Sequence, residues 1–277
     1  MIRVHCLIDN TVTRSSPLWG EHGLAFYVET PDGRLLFDTG QSGQVLLHNA
    51  AQLDIDLAQV DALALSHAHY DHTGGLGAVL ERTRPLIPLY ANADLFRERY
   101  TMRGEEYVSI GLTLSRDDLA RSFAVRLSAD PVEMLPGVWT TGEITDRSGF
   151  EGRSATHRIR VGDGWEPDPY RDDLALVLET AGGLVVLCGC CHAGLLNTLA
   201  HVHRHFKGDI VAVAGGLHLA GITDDMLQLA ASLLQTTYGA PRLYPNHCTG
   251  EKAYVALAAA FGEGVQPCPA GALIEFP

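Results

Sequence analysis

Residues 66–75 read Ser-His-Ala-His-Tyr-Asp-His-Thr-Gly-Gly, which puts four side chains of metal-ligating type within six positions. They follow an apolar run at 62–65 and precede a helical pattern at 75–81. In an extended or irregular loop, alternate side chains share a face. His67, His69 and Asp71 can then point one way, while His72 turns toward a neighbouring position. The pattern suits two metal ions a few ångströms apart, one held largely by histidines and the other by Asp71 and His72. Gly74 and Gly75 let the backbone turn sharply into the helix.

The rest of the chain alternates short apolar runs with helical patterns. Strands are expected at 2–8 and 24–29, and Asp32-Gly33 turns the chain into a third at 34–37. Residues 42–53 read as a helix with Val45, Leu46, Ala50 and Leu53 along one side. A strand at 62–65, a helix at 75–81 and a strand at 86–90 complete the first half. In the second half, strands at 174–179 and 184–187 flank Ala181-Gly182-Gly183. A helix at 193–205 and a strand at 210–214 follow. Thr223 caps a helix running to 237, and Asp224 and Asp225 suit its positive N-terminus. A short strand at 242–244 leads into Asn246-His247, and a helix and a strand near 272–276 close the chain. Two halves built this way imply an α/β fold of two sheets face to face with helices outside.

The stretch from about 100 to 170 is polar, rich in Arg, Asp and Gly, and its strands at 123–127 and 138–141 are weaker. Ser115, with Asp117 and Asp118, starts a short helix there. We expect one domain over 1–277, with 100–170 inserted as a cover over the site, where loops commonly carry function.

Acids outnumber bases 33 to 20, for a net charge of −13, and Lys207 and Lys252 are the only lysines. That balance opposes a phosphate-tracking nucleic-acid binder and an anionic membrane surface, leaving a small-molecule substrate. The start, MIRVHCLIDN, has no basic segment before a long apolar one, so no signal peptide is expected. The run 180–203 lacks acidic and basic residues other than histidine, but its glycines, Asn197 and histidines make it a poor bilayer span. Cysteines 6, 188, 190, 191, 248 and 268 do not form a disulfide framework in a chain this long, so free thiols and a cytoplasmic setting are expected.

The string His-Ala-His-Tyr-Asp-His followed by Gly-Gly resembles the signature of the metallo-β-lactamase fold superfamily. Gly189-Cys190-Cys191-His192-Ala193-Gly194, Gly215-Gly216-Leu217-His218-Leu219 and Pro245-Asn246-His247-Cys248-Thr249-Gly250 extend the likeness, as does Thr141-Gly142-Glu143-Ile144. Together they resemble the branch of 7,8-dihydropterin-6-yl-methyl-4-(β-D-ribofuranosyl)aminobenzene 5′-phosphate synthase-like proteins, also called β-lactamase superfamily II metal-dependent hydrolases. The resemblance implies a four-layer αβ/βα sandwich with a dinuclear site at one edge. It adds His192 and His247 as ligands to His67, His69, Asp71 and His72. The bridging position would fall to Cys190 as a thiolate, or to His192. His218 is expected as a substrate-facing acid or as a neighbour of the ligands. Asp38, in the Asp38-Thr39-Gly40 turn, either orients a ligand histidine through its other ring nitrogen or is a plain turn residue.

Two divalent ions, zinc first with iron or manganese as alternatives, would bring the pKa of a shared water from about 15.7 toward roughly 7. The expected reaction is attack on a phosphoryl or carbonyl centre of a small metabolite, with Asp71 taking the proton and His218 steadying the leaving group. Arg147 and Arg158, with Arg153 and Arg160, are candidates for a substrate phosphate or carboxylate. Alternatives are a phosphoribosyl-aminobenzoate-type synthase of pterin cofactor biosynthesis and a non-hydrolytic iron-binding or redox protein on the same cage. His201, His203 and His205 read as a solvated helix face, and His5, His22, His48 and His157 as isolated residues.

Overall fold

Runs such as Leu35-Leu36-Phe37 have no polar face, so a strand made of them must be covered on both sides. The computed structural model, which describes residues 1–277, shows how. Its first part runs β1 (Ile2–Ile8), β2 (Ala25–Thr30), β3 (Gly33–Phe37), α1 (Gly43–Gln52), β4 (Ala62–Ala64), α2 (Tyr70–Thr73), α3 (Leu76–Arg82) and β5 (Ile87–Ala91). The middle adds β6 (Arg99–Arg103), β7 (Glu106–Ser109), α4 (Arg116–Ser122), β8 (Phe123–Leu127), β9 (Val132–Leu135), β10 (Val138–Thr140), β11 (His157–Val161) and β12 (Gly164–Pro167). The last part is β13 (Ala175–Thr180), β14 (Gly183–Cys188), α5 (Leu195–His205), β15 (Ile210–Gly216), α6 (Asp224–Thr236), β16 (Arg242–Asn246), α7 (Glu251–Phe261) and β17 (Leu273–Phe276).

One sheet has the order β17-β1-β2-β3-β4-β5-β8 and the other β16-β15-β14-β13-β10-β9. Strand alternation sorts their side chains into three apolar layers. Leu35 and Phe37, with Val4 and Val28, meet Leu176, Leu178, Val185 and Leu187 between the sheets. Leu36, Tyr27 and Leu63, on the other face of the first sheet, pack against Val45 and Leu46 of α1 and Leu76 and Val79 of α3. Val177, Val186 and Val213 pack against Leu199, Leu234 and Leu257 of α5, α6 and α7. The result is the four-layer αβ/βα sandwich.

The stretch 100–170 is divided rather than inserted as one block. β8 extends the first sheet, and β9 and β10 extend the second. Only β12-β11-β6-β7 form a separate four-stranded sheet, where Trp165 stacks on Tyr107 with ring centroids 3.8 Å apart. The Ser115 helix start has the expected capping, with Asp118 returning the bond to the Ser115 backbone. His201 does not sit on a wet face. It is buried, and its Nε2 lies 3.0 Å from the Thr141 carbonyl oxygen, tying α5 to the end of β10. All six cysteines are free, and no helix is long and apolar enough to cross a membrane.

Candidate metal centre

β3, β4 and β5 run parallel, as do β14, β15 and β16, so their C-terminal ends gather at one edge of the sandwich. Open α/β sheets place their ligand sites at such ends. Asp38 follows β3, the 67–72 segment follows β4, Cys190 and His192 follow β14, His218 follows β15 and His247 follows β16. Four of these loop residues that are not glycine, Asp38, Cys191, His218 and His247, have φ between 46° and 62°. L-residues adopt that left-handed region at a cost, and such residues cluster at functional sites. Gly74 and Gly75 have ordinary right-handed helical angles, so conformational freedom does not explain them. A Cβ at either would run into the carbonyl oxygen of Gln41 or Thr39, so they are needed for close packing of the turn.

One ring nitrogen from each of His67, His69 and His192 lies within 4.8 Å of the other two. All three side chains are buried, and their Nε2 atoms have no hydrogen-bond partner. Neighbouring groups fix the state of two of these rings. The Nδ1 of His192 is 2.7 Å from the Gly152 carbonyl oxygen, which can only accept, so Nδ1 carries the proton and Nε2 the lone pair. Ser66 Oγ donates to Asp38 at 2.7 Å and therefore accepts from His67 Nδ1 at 2.9 Å, leaving the His67 Nε2 lone pair free. Burial pushes the pKa of all three histidines well below the usual imidazole range, with neighbouring histidines adding to it. Unpaired lone pairs on neutral buried imidazoles are the donor set a divalent transition metal takes, and leaving them unmet is costly.

A second group adjoins the first. Asp71 Oδ2 lies 3.2 Å from His22 Nε2, 3.4 Å from His247 Nε2 and 3.7 Å from His72 Nε2. His72 Nε2 is also 3.2 Å from His247 Nε2 and 3.2 Å from Cys190 Sγ. Cys190 thus lies between the groups, within reach of His67 and His72 on one side and His247 and Cys248 on the other. His72 Nδ1 is 2.7 Å from Asp38 Oδ2, and Asn10 Oδ1 is 3.0 Å from His247 Nδ1. Both contacts direct Nε2 at the site. Asp38 is therefore no plain turn residue, since it orients a candidate ligand as carboxylates behind metal-bound histidines do. Asp38→Asn should weaken retention at this second position by about 10–100-fold in a chelator competition, and the three-histidine group by less, since Asp38 reaches His67 only through Ser66.

The two groups titrate differently. Burial would lower the His72 pKa, but the Asp38 and Asp71 carboxylates outweigh it and raise it to about 9. Burial likewise opposes ionisation of Asp71, yet His72, His22 and His247 hold its carboxyl well below the usual range. At neutral pH the three-histidine group is ready to bind, whereas His72 must first lose a proton. Metal added at pH 7 in weak buffer should therefore release no proton on filling the first group and about one on filling the second. Below about pH 9, each pH unit of acidification should cost the second position roughly tenfold in affinity. Equal proton release at both steps would contradict this assignment.

These groups open on a cavity of about 250 Å³, also lined by His157, His218, Tyr70 and Arg103. His218 is half-buried, its ring 4.4 Å from that of His192, and burial brings its pKa down to about 4. Arg147 and Arg158 do not line this cavity. Arg147 donates to the carbonyls of Ile144, Pro169 and Tyr170 and pairs with Glu151, while Arg158 donates to the carbonyls of Ala155 and His157. Their charges close loops, and Arg103 is the arginine at the site.

Adjacent carboxylates hold the two main loops in register. Asp172 accepts from the Ala68 amide at 2.8 Å and Asp173 from the Ala193 amide at 2.9 Å. Tyr170 stacks on His192 with centroids 4.2 Å apart, and its hydroxyl is 2.9 Å from His157 Nδ1.

Residues 18–225 match the metallo-beta-lactamase superfamily, three-quarters of the chain. The chain belongs to this superfamily. Members of it depend on metal, and the histidine, aspartate and cysteine clusters here fit that dependence. Over 99% of its length the chain is 29% identical to a 7,8-dihydropterin-6-methyl-4-(beta-D-ribofuranosyl)-aminobenzene-5'-phosphate synthase from Methanocaldococcus jannaschii, covering 97% of that protein. It is similar to the crystal structure of Tm1679, a metal-dependent hydrolase of the beta-lactamase superfamily. The TM-score is 0.84 at 27% identity, with 99% of each chain covered. The metallo-beta-lactamase fold protein YhfI from Bacillus subtilis superposes with a TM-score of 0.59 at 14% identity, over 99% of this chain and all of that one, a likeness of fold alone.

Sequence reasoning passed over His22, His157, Tyr170, Arg99 and the Asp172-Asp173 pair. Only the pair left a signal, two acids directly before the apolar run of β13.

Proposed function

We propose that the protein is a metal-dependent hydrolase with two divalent ions, zinc first, acting on a phosphoryl or carbonyl centre of a small metabolite. The observation that carries this reading is the convergence of three unpaired Nε2 atoms beside the Asp71–His72–His247 group, both facing one cavity. Divalent ions held there would supply Lewis acidity and let a water lose its proton near neutral pH. His67, His69 and His192 would hold one ion, and Asp71, His72 and His247 the other, with Cys190 between. The depressed pKa of Asp71 makes it an ionised donor and a weak proton acceptor, so holding metal is its better-supported role. Neutral His218 can give a hydrogen bond to a leaving group or developing oxyanion without contributing charge. The cavity volume suits a small metabolite.

The full-length likeness to the Methanocaldococcus protein favours a second reading, a synthase of the dihydropterin-linked ribofuranosylaminobenzene phosphate for which that protein is named. Product analysis separates the two. Metal-loaded protein should hydrolyse members of a phosphodiester, phosphomonoester and lactone panel, and His69→Ala should lose that activity. No hydrolysis, with formation of the dihydropterin-linked ribofuranosylaminobenzene phosphate instead, would overturn the hydrolase reading.

A further inference from the structure

Recognition of an anion needs a cation whose charge is not already used inside the protein. Between Arg97 and Arg171, nearly every arginine is occupied. Arg97 and Arg99 pair with Asp94, Arg121 with Asp118, Arg147 and Arg153 with Glu151, and Arg171 with Glu143. Arg116, Arg126 and Arg160 lie over the rings of Phe96, Tyr90 and Trp165. Arg158 donates to backbone carbonyls. Arg103 alone has no carboxylate, carbonyl or aromatic partner, and it is also the only lysine or arginine lining the metal cavity. In a chain of net charge −13, a free cation placed there is not a generic surface feature.

Its position is set by the small sheet. Arg103 ends β6 opposite Glu106 of β7, without an ion pair between them, and Gly104, at φ 63°, makes the turn. Tyr70, half-buried between His69 and Asp71 in sequence, lines the same cavity, and its hydroxyl has no partner in the protein.

We propose that Arg103, together with the Tyr70 hydroxyl, binds an anionic group of the substrate, a phosphate or a carboxylate, held apart from the reacting centre. This selects substrates that carry such a group, and it rests on the reading of the site as a metal centre acting on a small molecule. Guanidinium and phenol are complementary donors to either anion.

Hydroxamates that differ only at the end remote from the chelating group test this by calorimetry on metal-loaded protein. The probes are butyrohydroxamate, succinic monohydroxamate and its phosphonate analogue. One or both charged probes should bind about tenfold more tightly than the uncharged one, and the stronger of the two identifies the anion. Arg103→Gln, at an exposed hairpin residue, should erase that advantage and leave butyrohydroxamate affinity unchanged. Tyr70→Phe should reduce the advantage by about fivefold. Equal binding of charged and uncharged probes to the unaltered protein, or an advantage that persists in Arg103→Gln, overturns the inference while leaving the metal reading intact. No binding of any hydroxamate overturns the metal reading, and this inference with it.

Discussion

Replacing His67 and His192 together by alanine is expected to weaken metal retention at the three-histidine group on the order of 10⁴-fold. Structural zinc sites with four protein donors bind with about 10–16 kcal/mol, so each donor contributes roughly 3 kcal/mol, or about a hundredfold. Here each nitrogen has its tautomer fixed by a neighbour, Ser66 for His67 and the Gly152 carbonyl for His192. A donor already turned toward the metal loses little freedom on binding, so its removal is felt in full. The thermal midpoint of the unaltered protein should fall when a strong chelator is added, whereas that of the double variant should not respond. A variant that keeps its metal and its chelator response would place the ion elsewhere in the fold.

The second large effect is expected at Arg99, which touches no candidate ligand. Arg99 is fully buried, with Nη2 at 2.6 Å from Asp172 and 3.1 Å from Asp94, and Nε at 3.1 Å from Asp168. Arg99→Met keeps much of the volume but leaves buried carboxylates facing one another. Breaking a buried ion pair by removing one partner costs about 3–5 kcal/mol, here roughly 10 °C in thermal midpoint. The sign of the pH dependence separates this cause from lost packing. Burial already raises the Asp172 pKa to about 7 against the pull of Arg99. Without the guanidinium the carboxyls take up protons more readily, so the penalty should shrink as pH falls from 8 to 5. A penalty independent of pH would point to packing. Because Asp172 also holds the Ala68 amide, metal affinity should fall along with stability.

These two sites mark where the sequence was legible and where it was not. The His67–His72 string could be read because its chemistry is local: four donors on one loop need no knowledge of the fold. Strand and helix positions could be read because alternation is a local signal too, and Leu35-Leu36-Phe37 required cover on both faces before any sheet was seen. Residues that act across the chain were hidden. His22 meets Asp71, and Asp172 meets Ala68 over 104 positions, through folding alone. The arginines show the same limit. Arg147 looked available on composition, yet backbone carbonyls of its own loops use its donors, and the free charge belongs to Arg103 at a hairpin end. Gly74 and Gly75 were read for flexibility and instead serve close packing, a demand set by the Thr39 and Gln41 carbonyls of a neighbouring loop.

Anomalous diffraction from crystals of the freshly purified protein locates the bound metal. A metal peak is expected about 2.0–2.1 Å from the Nε2 atoms of His67, His69 and His192, with a second beside Asp71, His72 and His247. Crystals whose metal peaks lie away from all three of those nitrogens would contradict that assignment.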